Sequence, residues 1–462
     1  MTQLDSAIEM LRKEFAGSIV APADAGYDEH RAVWNAMIDR RPACIARCAT
    51  PEDVVAAVQF GREHDRPIAV RGGGHSAAGK GTCDDGIVVD LSAMSSVEVD
   101  AGRRTARAGG GTTWGVFDAA TQEAGLATPG GVISTTGIAG LTLGGGFGWL
   151  TRRFGLSCDN LISADLVTAD GRQITCSEDS NPELFWGLRG GGGNFGVVTS
   201  FEYRLHPVGP LVLGGLIGWP LDQAADILAF HREQTRALPR ELGMSTAFVT
   251  APPLPFVPEE LHFQKCVVVI LCWSGDVEEG REVVKPWLDL APPIQMVDGM
   301  PYTIMNSIQD DLAPRGRLSY WKSGYLTELT DDAIGAAAEV AATVPSPFSL
   351  AEIVLWGGAV ADVPDDATAF GQRQGRFLFN AVSMWEDPAA TDDNVAWSRA
   401  FFDAMEPFKT RGVYVNFLSE EGPERVQEAY GAEKFVRLQA LKDEFDPDNL
   451  FRYNQNIPPS SA

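Results

Sequence analysis

The chain has 462 residues, too many for one ordinary core, so two domains are expected and three are within range. It is 45% hydrophobic and 21% charged, which excludes a disordered chain. A net charge of −25, with no Lys/Arg-rich run to offset it, excludes a nucleic-acid partner. The seven cysteines form no C-x-x-C pair and no metal-ligand spacing, so they read as reduced thiols and no metal site is expected. Met1-Thr2-Gln3-Leu4-Asp5 lacks the basic-then-apolar pattern of a signal peptide, and no apolar stretch is long enough to span a membrane. A cytoplasmic protein that uses no membrane is expected.

Thr50-Pro51-Glu52-Asp53 predicts a helix start: an N-cap threonine, proline at the first helical position and carboxylates at the positive dipole end. The strand Pro67–Val70 then runs into Arg71-Gly72-Gly73-Gly74-His75-Ser76, the most informative stretch of the chain. Successive glycines let backbone N–H groups turn inward as an anion cradle, and a nucleophilic imidazole sits at its mouth. Gly86–Leu91 reads as a buried strand, Ser96–Ala108 as a hairpin and Thr113–Ala124 as a helix. Further glycine clusters follow at 128–131, 137–148 and 190–196. Between them, Leu161–Ala169 and Gln173–Cys176 read as strands joined by an Asp170-Gly171 turn. Asn181–Leu188 reads as a short helix, with a strand near Phe201.

After His206-Pro207 glycine thins out. Helices at Leu221–Leu238, Asp276–Leu288 and Asp331–Thr343 alternate with β-rich runs at Cys266–Cys272, Ala351–Leu355 and Phe377–Trp385. The predicted fold is α+β: a cofactor domain over 1–206, a substrate domain over 207–408 with an antiparallel sheet covered by helices, and a segment 409–462 returning to the first domain. Gly191-x-Gly193-x-x-Gly196 matches a dinucleotide fingerprint, but a helix precedes it and a strand follows, the reverse of the Rossmann context. Several glycine loops point instead to a pyrophosphate threaded between loops.

Residues 71–76, Gly140-Leu141-Thr142-Leu143-Gly144-Gly145-Gly146-Phe147-Gly148-Trp149, Gly190–Val198 and the tail Asp446–Pro458 resemble the berberine-bridge-enzyme-like FAD oxidases. These have the PCMH-type, or vanillyl-alcohol-oxidase, flavoprotein fold, and the resemblance covers essentially the whole chain. Within the family, Lys322–Leu326 and Phe348–Val360 resemble the EncM-like oxygenases of polyketide tailoring. The resemblance implies FAD attached through its 8α-methyl group to His75. It implies a cofactor site built from Val70, Arg71, Gly72, Gly73, Gly74, His75, Ser76 and Gly79. Pro129, Gly130, Ser134, Thr135, Gly137, Gly140, Gly144, Gly145, Gly146, Gly148 and Trp149 extend it, as do Gly193, Gly196, Val197, Val198, Asn416, Asn454 and Asn456. Many relatives carry a second, cysteinyl link, at a position that is Ile133 here, so a single covalent bond is expected. Cys83 and Cys158 read as small buried side chains.

The family's Tyr-x-Asn-Tyr motif reads Tyr414-Val415-Asn416-Phe417, so the tyrosine base of the sugar oxidases is missing and Tyr414 either packs or serves the site. Glu352, in the apolar run Ser349–Trp356, faces either solvent or a cavity; buried, its pKa would rise toward that of a useful base. By resemblance Thr136 and Leu141 lie beside the flavin ring; Tyr325 either lines the pocket or packs in the core. Trp356, Trp385 and Phe248 on strands suit an aromatic ligand or a core. The expected function is oxidation of a hydroxy or carbonyl small molecule of secondary-metabolite type, with O2 as acceptor. The alternatives are an EncM-like monooxygenase acting on a polyketide-like substrate and a flavin-binding protein without turnover. A homodimer is expected only at the level of the family.

Overall fold

Four short strands open the fold: β1 (Ser18–Val20), β2 (Cys44–Arg47), β3 (Ile68–Arg71) and β4 (Ile87–Asp90), in the order β1-β2-β4-β3. β2 and β3 both run parallel to β4, and every residue of β4 is buried, as a strand flanked on both sides requires. The helix Pro51–Glu63 makes the crossover. It starts on a capping box, in which Asp53 N donates to Thr50 Oγ1 and Thr50 N donates to Asp53 Oδ2, both at 3.3 Å. This computed structural model describes residues 3–461; Met1, Thr2 and Ala462, at the ends of the expected first and last segments, lie outside the described residues.

A second sheet is antiparallel. It takes β5 (Val97–Asp100) and β6 (Thr105–Gly109), then, beyond a short β7 (Leu126–Ala127), β8 (Leu161–Val167), β9 (Gln173–Ser177) and β10 (Val197–Arg204), in the order β5-β6-β10-β8-β9. β7 pairs with β11 (His206–Pro207).

The third sheet has seven strands: β12 (Leu211–Pro220), β13 (Leu242–Thr250), β14 (Lys265–Trp273), β15 (Ile294–Pro301), β16 (Leu318–Leu326), β17 (Leu350–Leu355) and β18 (Phe377–Trp385). Their order is β15-β12-β14-β13-β17-β18-β16, antiparallel throughout. Side chains alternate between its faces. Ile217, Val267, Val269, Ile353 and Phe379 pack against the helices Ala224–Gln234, Val277–Leu288, Asp331–Ala341 and Thr391–Met405. Leu216, Val268, Ile270, Glu352 and Val382 point the other way, into a cavity.

The helices Pro423–Tyr430 and Ala432–Phe445 leave this sheet and pack on the first part of the chain, where Tyr430, Leu438 and Leu441 share a core with Phe185 and Phe195. Two readings change. The expected helix Leu221–Leu238 is α-helical only over Ala224–Gln234, with a 3-10 turn at each end. Strands β12 and β15 have no counterpart in the sequence reading, and β13 and β16 are anticipated there only through Phe248 and Tyr325 as strand residues.

Candidate active site between the cradle loops and the seven-stranded sheet

A cavity of about 930 Å3 is lined from both halves of the fold, at the upper end of the volumes of small-molecule and cofactor sites. On one side β3 delivers the chain into the glycine loop. Arg71 is held there by Asp90, Nη2 to Oδ2 at 2.9 Å, and both side chains are buried. Beyond it, the backbone N–H groups of residues 72–76 donate to no acceptor among the described residues, although Gly74 O accepts from Trp34 N at 3.0 Å. A Cβ on Gly73 would lie 2.3 Å from Gly137 N, so this loop and the 133–137 loop touch backbone to backbone. A Cβ on Gly140 or Gly193 would meet nothing within 4 Å, and both glycines face the cavity. Asn454 donates to Gly193 O (3.1 Å) and Phe451 O (2.9 Å), while its Oδ1 is buried without a partner. Free N–H groups and open glycine faces fit the phosphates of a cofactor, and the unpartnered amide oxygen fits a hydroxyl or N–H donor elsewhere on it.

His75 stands at the mouth of this cradle. Thr135 Oγ1 lies 2.9 Å from its Nε2 and Thr136 Oγ1 lies 3.4 Å from its Nδ1. Its ring stacks on Trp34, with centroids 5.7 Å apart and planes at 22°. Burial, helped by the Arg315 guanidinium, pushes its pKa down to about 4, so the imidazole is neutral at physiological pH. That leaves a nucleophilic nitrogen lone pair available.

Glu352 lies on the cavity face of β17. Asn380 donates to its Oε1 at 3.3 Å and Ser245 approaches Oε2 at 3.5 Å. Burial pushes its pKa up to about 7, against the smaller opposing pull of these two donors. Tyr414 also borders the cavity but is almost wholly buried. Its Oη accepts from Gly146 N (3.1 Å) and Asn416 Nδ2 (2.9 Å), and burial raises the phenol further above its ordinary range. Asn416 Nδ2 also donates to Leu141 O at 3.0 Å. Phe417 stands edge-on to both Tyr414 (4.9 Å) and Trp321 (5.2 Å).

Most of the expected site residues border the cavity: Val70 to Ser76, Thr136, Gly137, Gly140, Leu141, Gly148, Trp149, Gly193, Gly196, Val198, Glu352, Tyr414, Asn416 and Asn454. Others stand behind it. Ser134 is bonded to Asp310, and Thr135 to His75. Pro129 O accepts from Ser157 Oγ at 2.7 Å. Gly79, Gly130, Gly144 and Gly145 leave room for Ile38, Trp114, Asn416 and Phe370. Gly146 donates to Tyr414, Val197 is buried on β10, and the Oδ1 of Asn456 is buried away from the cavity. Tyr325 packs in the core: it is completely buried, edge-on to Trp356 at 5.6 Å, and off the cavity. Trp356, Trp385 and Phe248 are core residues. Cys83 and Cys158 are buried, and burial raises both thiols. Ile133 borders the cavity.

Sequence reasoning missed the aromatic wall of Trp34, Trp321 and Phe348, and the polar trio's other members, Asn380 and Ser245. An amide in a run, Phe377–Trp385, whose only other polar residue is Ser383 is the signal that could have found Asn380, by the same logic that singled out Glu352.

Residues 42–177 match the model of an FAD binding domain, and residues 413–458 match that of berberine and berberine-like proteins. The chain is 32% identical to the FAD-linked oxidoreductase fogF of Aspergillus ruber, over 92% of this chain and 88% of that one. It belongs to the berberine-bridge-enzyme-like family of FAD-linked oxidoreductases. Another relative of this family member is the (R)-6-hydroxynicotine oxidase of Paenarthrobacter nicotinovorans, 30% identical over 96% of this chain and 97% of that one. The crystal structure of the 6-hydroxy-D-nicotine oxidase of Arthrobacter nicotinovorans superposes with a TM-score of 0.87 at 29% identity, covering 96% of this chain and 98% of that one. The fold is thus the PCMH-type fold of berberine-bridge-enzyme-like proteins, and FAD is the cofactor. Among the described residues, no helix is long and apolar enough to cross a membrane.

Proposed function

We propose that this enzyme oxidises an apolar small molecule bearing a hydroxyl or carbonyl group, of secondary-metabolite type, with FAD bonded covalently to His75 and O2 as acceptor. Bound FAD supplies the two-electron acceptor. The cradle N–H groups of residues 72–76 take the phosphates, His75 is the anchor, and Thr136 and Leu141 flank the ring. Glu352 receives the substrate's proton. The observation that carries the reading is Glu352 itself, a carboxyl with a pKa pushed up to about 7 on the wall of the same cavity as the cradle. Tyr414 is the less available base, because burial raises its phenol and keeps it protonated, and the two hydrogen bonds its oxygen accepts offset only part of that rise.

The test of linkage is the visible spectrum before and after acid precipitation. Yellow colour retained in the pellet of the wild type, and lost from that of His75→Ala, supports the covalent bond; a colourless protein overturns the reading. For the reaction, the 6-hydroxynicotine named for the 30% relative is the first compound to try. Peroxide equal to substrate consumed is expected, and label from oxygen gas in the product would replace oxidase with oxygenase.

A further inference from the structure

Asn380 and Glu352 are direct cross-strand partners in the register of β17 and β18, and Glu352 faces Ala247 on its other side, on β13. Asn380 is 1% exposed and borders the cavity. Only half of its amide is used. Nδ2 donates to Glu352 Oε1, while Oδ1 is buried with no donor. When Glu352 is ionised, the form in which it can take a proton, turning the amide over would set oxygen against oxygen, acceptor against acceptor, so in that form the carboxylate fixes which end is left free. A buried acceptor without a partner is uncommon and calls for one.

Among the described residues nothing bonds to it. Its other cross-strand partner, Ser323 on β16, is a buried hydroxyl that makes no hydrogen bond to it. The cavity-lining residues around the pair are Leu350, Val354, Val382, Met384 and Ala247. Ser245 Oγ is directed at the other oxygen of Glu352, and no charged side chain contributes to the titration of Glu352 from β13, β17 or β18. The result is two hydrogen-bond acceptors side by side, a Glu352 oxygen and Asn380 Oδ1, on an apolar wall.

We infer that Asn380 determines substrate specificity: its N–H positions the carboxylate of Glu352, and its carbonyl oxygen accepts a hydrogen bond from a second donor on the substrate, next to the reacting one. The favoured ligand is an apolar body carrying two neighbouring donors, such as a catechol, a vicinal diol or an amino alcohol. A site built to bond such a donor discriminates against an analogue lacking it, because its own acceptor is then left bare. The inference rests on Glu352 as the group that meets the reacting donor.

The experiment titrates FAD-loaded protein, without oxygen, with 2,3-dihydroxynaphthalene and with 2-naphthol, and reads the flavin absorption. The wild type should bind the diol about tenfold more tightly. Asn380→Leu should bring the ratio near one, and Asn380→Ser, which keeps an acceptor, should retain part of it. Infrared titration of the Glu352 carboxyl should show a higher midpoint in Asn380→Leu, since the lost N–H favours the ionised form. A wild-type ratio of one, a ratio kept in Asn380→Leu, an unmoved carboxyl midpoint, or failure of both probes to perturb the flavin overturns the inference. If the ratio collapses in Asn380→Leu while Glu352→Gln turns over 6-hydroxynicotine with an unchanged pH profile, the base assignment of Glu352 fails and the donor recognition stands.

Discussion

Asp310 accepts two hydrogen bonds from Ser134, one from the backbone N–H at 2.8 Å and one from the hydroxyl at 2.5 Å. The pair ties together the two halves that bound the cavity. Ser134 belongs to the loop that sets Thr135 and Thr136 against His75, and Asp310 to the segment between β15 and β16. Hydrogen bonds to a charged group contribute about 1.5–3 kcal/mol. Asp310→Ala should therefore lower stability by about 2 kcal/mol in urea titrations and reduce the fraction of chains carrying FAD. Unchanged values of both would mean the pin is idle.

Lys442 and Asp446 form an ion pair at 2.6 Å with neither side chain exposed. The ammonium spends its remaining donors on Asn194 O (3.0 Å) and Phe451 O (3.1 Å), and Asp446 accepts from the N–H groups of Leu450 and Phe451. Lys442→Met strands a buried carboxylate and should cost about 3–5 kcal/mol. Limited proteolysis would then cut the tail after Asp446 faster than in the wild type.

Asp118 is wholly buried on the helix Trp114–Gln122. One oxygen accepts from Asn306 Nδ2 at 2.6 Å, the other has no partner, and burial pushes the carboxyl up to about 7. Between about pH 4 and 7 the folded chain holds a proton that the unfolded chain releases. Its contribution to stability is thus full below that window and is lost as the pH rises through it. Asp118→Asn lacks this titration. The variant should gain on the wild type between pH 5 and pH 8, by an amount on the order of 3 kcal/mol, measured by denaturant midpoints at the two pH values.

Gly140 lies in the helix Ile138–Leu143 with its open side to the cavity. Gly140→Ala should raise the stability of the cofactor-free chain by about 0.5–1 kcal/mol through helix propensity. On the proposed placement of FAD the same methyl intrudes on the cofactor, so FAD retention should fall. Opposite signs in thermal melting and in flavin content are the expected signature.

The cradle, the Thr50 capping box and the Asp170-Gly171 turn were legible because each is a local pattern with a local cause. Glu352 was legible as a lone carboxylate in an apolar run. Strand β12 was not, since Gly214, Gly215, Gly218 and Pro220 read as breakers. In the fold those glycines admit close neighbours: a Cβ on Gly214 would sit 2.4 Å from Met305 Sδ, and one on Gly215 1.8 Å from Met296 O. Such a need arises only from strands far apart in sequence. Trp34 carries no local signal either. Its ring stacks on His75, 41 residues on, and its Nε1 donates to Ala313 O (2.9 Å), 279 residues on.

The cavity proposed to hold FAD is closed by residues 414–417 and 453–455. Asn416 and Asn454 border it, and Lys442 bonds to Asn194 O across 248 residues of sequence. At about 5–20 residues per second of synthesis, the glycine cradle leaves the ribosome well before its last wall exists. A nascent chain can form the first sheets but holds an open trough, so on this proposal firm capture of FAD waits for residues 414–455. Any truncation of the last helix would yield an apoprotein even though the cradle and its histidine are intact.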